Sequence, residues 1–189
     1  YGRIAQKLAD NAPSDGGALL AESLAAAGTT RYVTKANYND LVDMDDFAGK
    51  TLNGQTVDNH CSPTAGTNLV KYWARERGVP KLYYMSDWWV FSSLCVNMKT
   101  KFNQPNAGTT SANFLSGLRN YSSSTRGVSY SGYDWWGDSP SESCTFDKAK
   151  SIIDMDVPFH LDLDRHSMAC FGYSTASGYN QLIVNTGWN

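Results

Sequence analysis

Ala65, Leu69 and Trp73, joined by Gly66 and Val70, recur at the spacing that gathers side chains on one side of a helix, so the chain is predicted to be helical from Ser62 onward. Pro63 suits a first turn, where its missing N–H costs nothing, and Gly78 followed by Pro80 is the stop signal. Two more helices are predicted over 87–98 and 111–121, the second capped from a Gly-Thr-Thr-Ser stretch. Residues 1 to about 29 are rich in Ala and Leu, with few helix breakers from Ala18 to Ala27, and read as one or two short helices ending near Gly28. A polar connection through Asp40, Asp43, Asp45 and Asp46 follows, and Gly54 marks a loop leading into Cys61. From Ser122 to Ser143 the chain is rich in Ser, Gly, Tyr and Trp and is read as strand and loop. Thr145 to Asp154 is read as a short capped helix. The last forty residues change period: 157–164, 167–173 and 181–184 are short apolar or alternating runs between turn residues, predicted to be antiparallel strands. Helices first and strands last make an α+β layout.

Composition narrows the class. A chain of 189 residues with 41% hydrophobic and 18% charged residues has the size and balance of one globular domain. A net charge of −2 leaves no electrostatic footprint for nucleic acid or an anionic membrane. No apolar run approaches the roughly 20 residues that span a bilayer. The start Tyr1-Gly2-Arg3 lacks a signal peptide's apolar stretch, so a processed or trimmed product is expected. The six Trp and eleven Tyr, with Ser, Asn and Gly in the loops, suit a secreted, loop-rich protein. Cys61, Cys95, Cys144 and Cys170 show no CxxC spacing, which argues against a zinc ribbon or a thioredoxin motif. Cys95 with Cys144 is the candidate disulfide, since Cys170 sits in an apolar run; buried free thiols are the alternative. Scattered His and Cys, and an Asp43 to Asp46 stretch without full Ca²⁺-loop spacing, give no metal site, and no cofactor is expected.

Four residues carry candidate chemistry. Cys61 stands where a loop meets a helix start, whose unpaired N–H groups and partial positive charge favour thiolate over thiol and face an oxyanion formed beside the sulfur. Read alone, a small core residue is the favoured reading of Cys61. Gln55, six positions earlier, can return its amide to the same oxyanion; otherwise it is a solvated loop residue. His166 opens an apolar strand, and a neutral imidazole there can take the thiol proton. His60 and His160 compete for that role. His60 adjoins Cys61 but points away from it in an extended segment, and His160 lies in a half-buried strand and reads as a packing residue. Asn185, after Leu182-Ile183-Val184, can accept the histidine's other N–H and fix its tautomer, with Trp188 shielding the bond; the plainer reading is a turn former.

Cys61-Ser62-Pro63-Thr64-Ala65 resembles the Cys-Gly-Pro-Thr-Ala start of the nucleophile helix in bacterial papain-like cysteine peptidases, especially the bacteriocin-leader-peptidase-like group. His166-Ser167-Met168 through Gly172-Tyr173 is similar to the His-Ala-x-x-x-x-Gly-Tyr strand of that superfamily, and Asn185-Thr186-Gly187-Trp188 to its Asn-Ser-Trp-Gly or Asn-Trp-Gly-Trp segment. Gln55 matches the spacing of the family's oxyanion-hole glutamine. The resemblance covers about residues 55 to 189. It implies a papain-like fold, with a helical half carrying Cys61 packed on a β-rich half carrying His166 and Asn185, and a cleft between them. It also implies peptide-bond hydrolysis through a thioester on Cys61, a peptide or protein substrate, a monomer, and a secreted or cell-surface bacterial enzyme. Residues 1–50 match no motif and are expected to be a helical extension or propeptide remnant before a catalytic domain over 51–189. Ser62 departs from the usual Gly, the Cys-Gly-Ser-Cys-Trp signature of papain itself is missing, and the family continues beyond the position of Trp188, so a shortened C-terminus is expected. The same residues also fit an acyltransferase, deamidase or transglutaminase. A catalytically inactive module binding peptide or carbohydrate through Trp88-Trp89 or Trp135-Trp136 is the non-enzymatic alternative.

Overall fold

The structure, a computed structural model, describes residues 28–34, 40–129, 145–163, 165–176 and 178–188. The chain is α+β. Strand β1 (Thr30–Tyr32) is followed by a hairpin, β2 (Thr51–Leu52) and β3 (Gln55–Thr56), and then by helices α1 (Cys61–Arg75), α2 (Asp87–Asn97), α3 (Ser111–Asn120) and α4 (Phe146–Asp154). Strands β4 (Phe159–Leu163), β5 (His166–Ser174) and β6 (Gln181–Asn185) close the order.

The helices predicted after Cys61 and the late strands are present within a few residues. Their caps are the ones the sequence offers: Ser86 accepts from the Trp89 N–H, Thr110 from Asn113 and Thr145 from Lys148. α3 does not stop at Tyr121 but runs on as a π-turn over Tyr121–Thr125, which corrects the strand-and-loop reading at its start. Residues 130–144, with Trp135, Trp136 and Cys144, and the predicted helices over 1–27 lie outside the described residues.

β5 is the axis of the main sheet, and all its pairings are antiparallel. Residues 169–170 pair with both β4 and β6, and residues 172–174 with both β1 and β6. A strand has two edges, so β4 and β1 share one of them end to end while β6 takes the other. Paired on both sides, β5 is buried from Ser167 to Tyr173. α1 lies against it, with α2 on the helix's far side. The larger core joins Ala65, Leu69 and Val70 to Leu94, Phe114, Ile153 and Phe171.

Among the described residues, no break falls at residue 50. β1 is hydrogen-bonded into the sheet, and Val33 sits in the larger core. Val42 and Phe47 pack with Val57, Phe91, Cys95 and Phe102 in a second core. Lys71, 3% exposed on α1, ties the segment down through Asp40 at 3.5 Å and also holds Asp87 of α2 at 2.9 Å. Residues 28–34 and 40–50 are therefore built into the same body as the rest. Of the expected Cys95–Cys144 pair, Cys144 lies outside the described residues; Cys95 is a free thiol, 2% exposed, and burial pushes its proton affinity well above the usual thiol range.

Candidate active site

Cys61 is the first residue of α1 and is half-buried, while Ser62 and the turns after it are buried. The first N–H groups of a helix have no partner within it, so the donors at the start of α1 are left open at that end. His166 is the first residue of β5. The residues that follow them meet: Ser62 Oγ lies 2.8 Å from Ser167 Oγ, a contact between residues 105 apart in the chain.

The His166 ring is held from its far side. Its Nε2 is 2.7 Å from the Thr186 carbonyl oxygen. A carbonyl can only accept, so Nε2 carries the proton and donates it, and the nitrogen that can accept is then Nδ1. Trp188 stacks along the imidazole with ring centroids 5.7 Å apart and planes 24° apart, and it is 60% exposed, so it covers the ring on its solvent side.

Asn185 is close to this arrangement but does not touch the histidine. Its Oδ1 accepts from Asn68 Nδ2 and from the Gly187 N–H, both at 3.1 Å, and its Nδ2 donates to Asp43 Oδ1 at 3.3 Å. The orienting contact expected from Asn185 is therefore made by the main chain one residue on. Asn185 instead folds the turn that aims that carbonyl, helped by the Trp188 N–H on Thr186 Oγ1 and by the Met44 N–H on the Gly187 carbonyl. Behind the turn, Asn68 on α1 is fully buried. It receives the Val42 N–H at 2.8 Å and donates to the Val42 carbonyl at 2.9 Å, so one amide clamps the 40–44 segment and Asn185 together. Asn68 escaped the sequence reading. The available signal was an Asn seven residues after Cys61, and so on its side of the helix, amid apolar neighbours.

Gln55 lies in β3, opposite Leu52, with its side chain exposed on the hairpin that leads into Cys61. The rival histidines are spoken for. His60 is 1% exposed between Phe47 and Phe91, with Nδ1 3.1 Å from Thr64 Oγ1, and burial lowers its proton affinity. His160 lies flat on Phe114 at 3.6 Å, its Nε2 buried without a partner; burial, partly opposed by the Asp162 charge, lowers its pKa to about 4.

Among the described residues, no group of three or more His, Cys, Asp or Glu is placed to hold a metal ion. No helix there is long and apolar enough to cross a membrane. A shallow apolar depression of about 290 Å³ lies over Leu52, Trp88, Trp89, Ser92, Ser93 and Val96, and shares no residue with the arrangement around Cys61 and His166. No family model, curated protein or solved structure matches the chain.

Proposed function

We propose that the chain is a cysteine peptidase of papain-like fold, with Cys61 as nucleophile and His166 as general base. One observation carries the reading. A thiol at a helix start and an imidazole at a strand start are each followed by a serine, those two serines are hydrogen-bonded at 2.8 Å and so hold the two element starts together, and the imidazole's Nε2 proton is committed elsewhere. The base therefore has one free nitrogen to offer, Nδ1.

In the proposed reaction the Cys61 proton passes to His166 Nδ1 and the sulfur attacks the carbonyl carbon of a peptide bond. The oxyanion is met by the Cys61 N–H and by the exposed amide of Gln55. His166 then gives its proton to the leaving amine, and water attacking the thioester restores the thiol. Thr186 stabilises the imidazolium through its carbonyl, and Trp188 keeps water from that bond.

Limiting iodoacetamide at pH 6 tests the first step. An ordinary thiol, with a pKa of about 8.5, is almost fully protonated there. Cys95 and Cys170 are buried, so preference over them would follow from exposure alone, and the comparison is with a free-thiol standard and with His166→Ala. Cys61 should outpace the standard by at least about tenfold, and His166→Ala should remove that advantage. Cleavage of a peptide library, with and without an added amine, then distinguishes hydrolysis from acyl transfer. A Cys61 that reacts like the standard in both proteins rules the reading out.

A further inference from the structure

Ser62 and Ser167 are 3% and 5% exposed, so neither hydroxyl has water to fall back on. Their direction of donation follows from proton count. Ser167 Oγ donates to Asp162 Oδ1 at 3.2 Å, because a carboxylate only accepts, and its single proton is then used. Ser62 must therefore be the donor in the 2.8 Å contact with Ser167. The carboxylate at the end of this chain also receives the hydroxyl of Ser111 at the start of α3. Ser62, Ser167, Asp162 and Ser111 thus link the first turns of α1 and α3 to strands β5 and β4 through a directed run of hydrogen bonds. Two of its members are the immediate neighbours of Cys61 and His166. Both serines replace residues without a hydroxyl in the motifs the chain resembles, Gly after the cysteine and Ala after the histidine, so this link is a feature of this sequence.

We propose that the Ser62–Ser167–Asp162 chain is a positioning tie that sets the approach of Cys61 to His166, an inference that rests on the peptidase reading above. None of the three meets substrate. Ser62 belongs to the helix and Ser167 to the central strand, and both elements are packed in the core. A hydroxyl pair at 2.8 Å couples their relative positions, because the bond weakens as its length and angle leave the normal range. Proton exchange between sulfur and Nδ1 is equally sensitive to distance. Without the tie, the helix start is free to settle against the strand by apolar packing alone, and the nucleophile and base separate.

The test uses the full chain and three variants, Ser167→Ala, Ser62→Ala and the double substitution, each assayed for Cys61 alkylation from pH 5 to pH 9 beside a urea unfolding curve. Ser167→Ala leaves the Ser62 hydroxyl without its acceptor, whereas Ser62→Ala leaves Ser167 still bonded to Asp162. The second variant carries the test if the first folds poorly. At pH 6 each single variant should lose about tenfold in alkylation rate, because activation there depends on the imidazole. At pH 9, where an ordinary thiol is largely ionised, the variants should converge on the parent. The double variant should lose no more than Ser167→Ala, since the two hydroxyls act as one link. An activated Cys61 in the parent that both single variants keep overturns the tie while leaving the peptidase reading in place. The same holds for an equal loss at every pH. A parent Cys61 that is not activated at all overturns both.

Discussion

At the scale of single residues, the group that accepts the His166 proton is a main-chain carbonyl, and that changes what Asn185 has to do. A side chain that touched the imidazole would act on its tautomer directly, and a carboxylate in its place would do the same work. Asn185 acts through the turn, with its oxygen on Gly187 and Asn68 and its amide nitrogen toward the carboxylate of Asp43. Asn185→Asp keeps both accepting contacts and sets a second carboxylate against the first. The expected result is a loss of stability on the order of 1–2 kcal/mol at pH 7, recovered as the pH is lowered through the carboxylate range, measured by urea unfolding at pH 7 and pH 4. A variant as stable as the parent at pH 7, with an unchanged Cys61 alkylation rate, would put the Asn185 amide nitrogen outside the network. The places of Cys61, His166 and Asn185 at element ends were legible in the sequence, because their flanking patterns mark those ends. The actual acceptor was not, because every residue has a carbonyl and only the turn's dihedral angles decide where it points.

At the scale of elements, the same division holds between local and distant causes. Helices with hydroxyl caps and a 3.6-residue period announce themselves from a dozen neighbouring residues. β1 does not: it is three exposed residues long, and its reason for being a strand is the edge of β5, more than 140 positions away. The β2–β3 hairpin did carry a local sign in Asn53-Gly54, both with positive φ as a two-residue turn of this kind requires. Gly117 on α3 is a subtler case. A Cβ there would lie 2.5 Å from Met98 Cγ and within 2.7 Å of the Met98 main chain, so the glycine is what lets α3 cross the end of α2 so closely. Gly117→Ala raises helix propensity, yet it should destabilise the fold by about 1–3 kcal/mol, because main-chain atoms cannot swing away as a side-chain tip can. Ser116→Ala, on the exposed neighbour, should instead be neutral or slightly stabilising. Equal behaviour of the two in urea would show that the α2–α3 crossing is loose.

For the whole molecule, the packing of residues 28–34 and 40–50 and the fate of His60 and His160 have one origin: α1 and β5 are buried along most of their length, so what flanks them is covered too. Burial lowers the proton affinity of His60 and His160, while His166, the third histidine in the chain, stands at the start of β5. Enclosure makes the fold acid-sensitive in a defined window. The folded-state pKa of His160 is lowered to about 4 from 6.5, and that of His60 is lowered too, in each case chiefly by burial. Between about pH 6.5 and pH 4 the unfolded chain therefore binds more protons than the folded one, and acid favours unfolding. The stability that depends on neutral rings is complete above about pH 6.5 and drains away as the pH falls toward 4, by an amount of order 3 kcal/mol for His160. Asp154, held low chiefly by Lys150, and Asp156, whose burial is outweighed by hydrogen bonds from Thr34 and Arg77, lose their contributions only at lower pH, so the two effects separate along the axis. His160→Phe should keep the stack on Phe114, remove the unpartnered Nε2 and flatten the slope between pH 6.5 and 4, with a gain of about 1 kcal/mol at pH 7. Urea unfolding at half-unit intervals across that window reads both quantities. An unchanged slope in the variant would mean that the His160 ring takes up its proton while the protein remains folded.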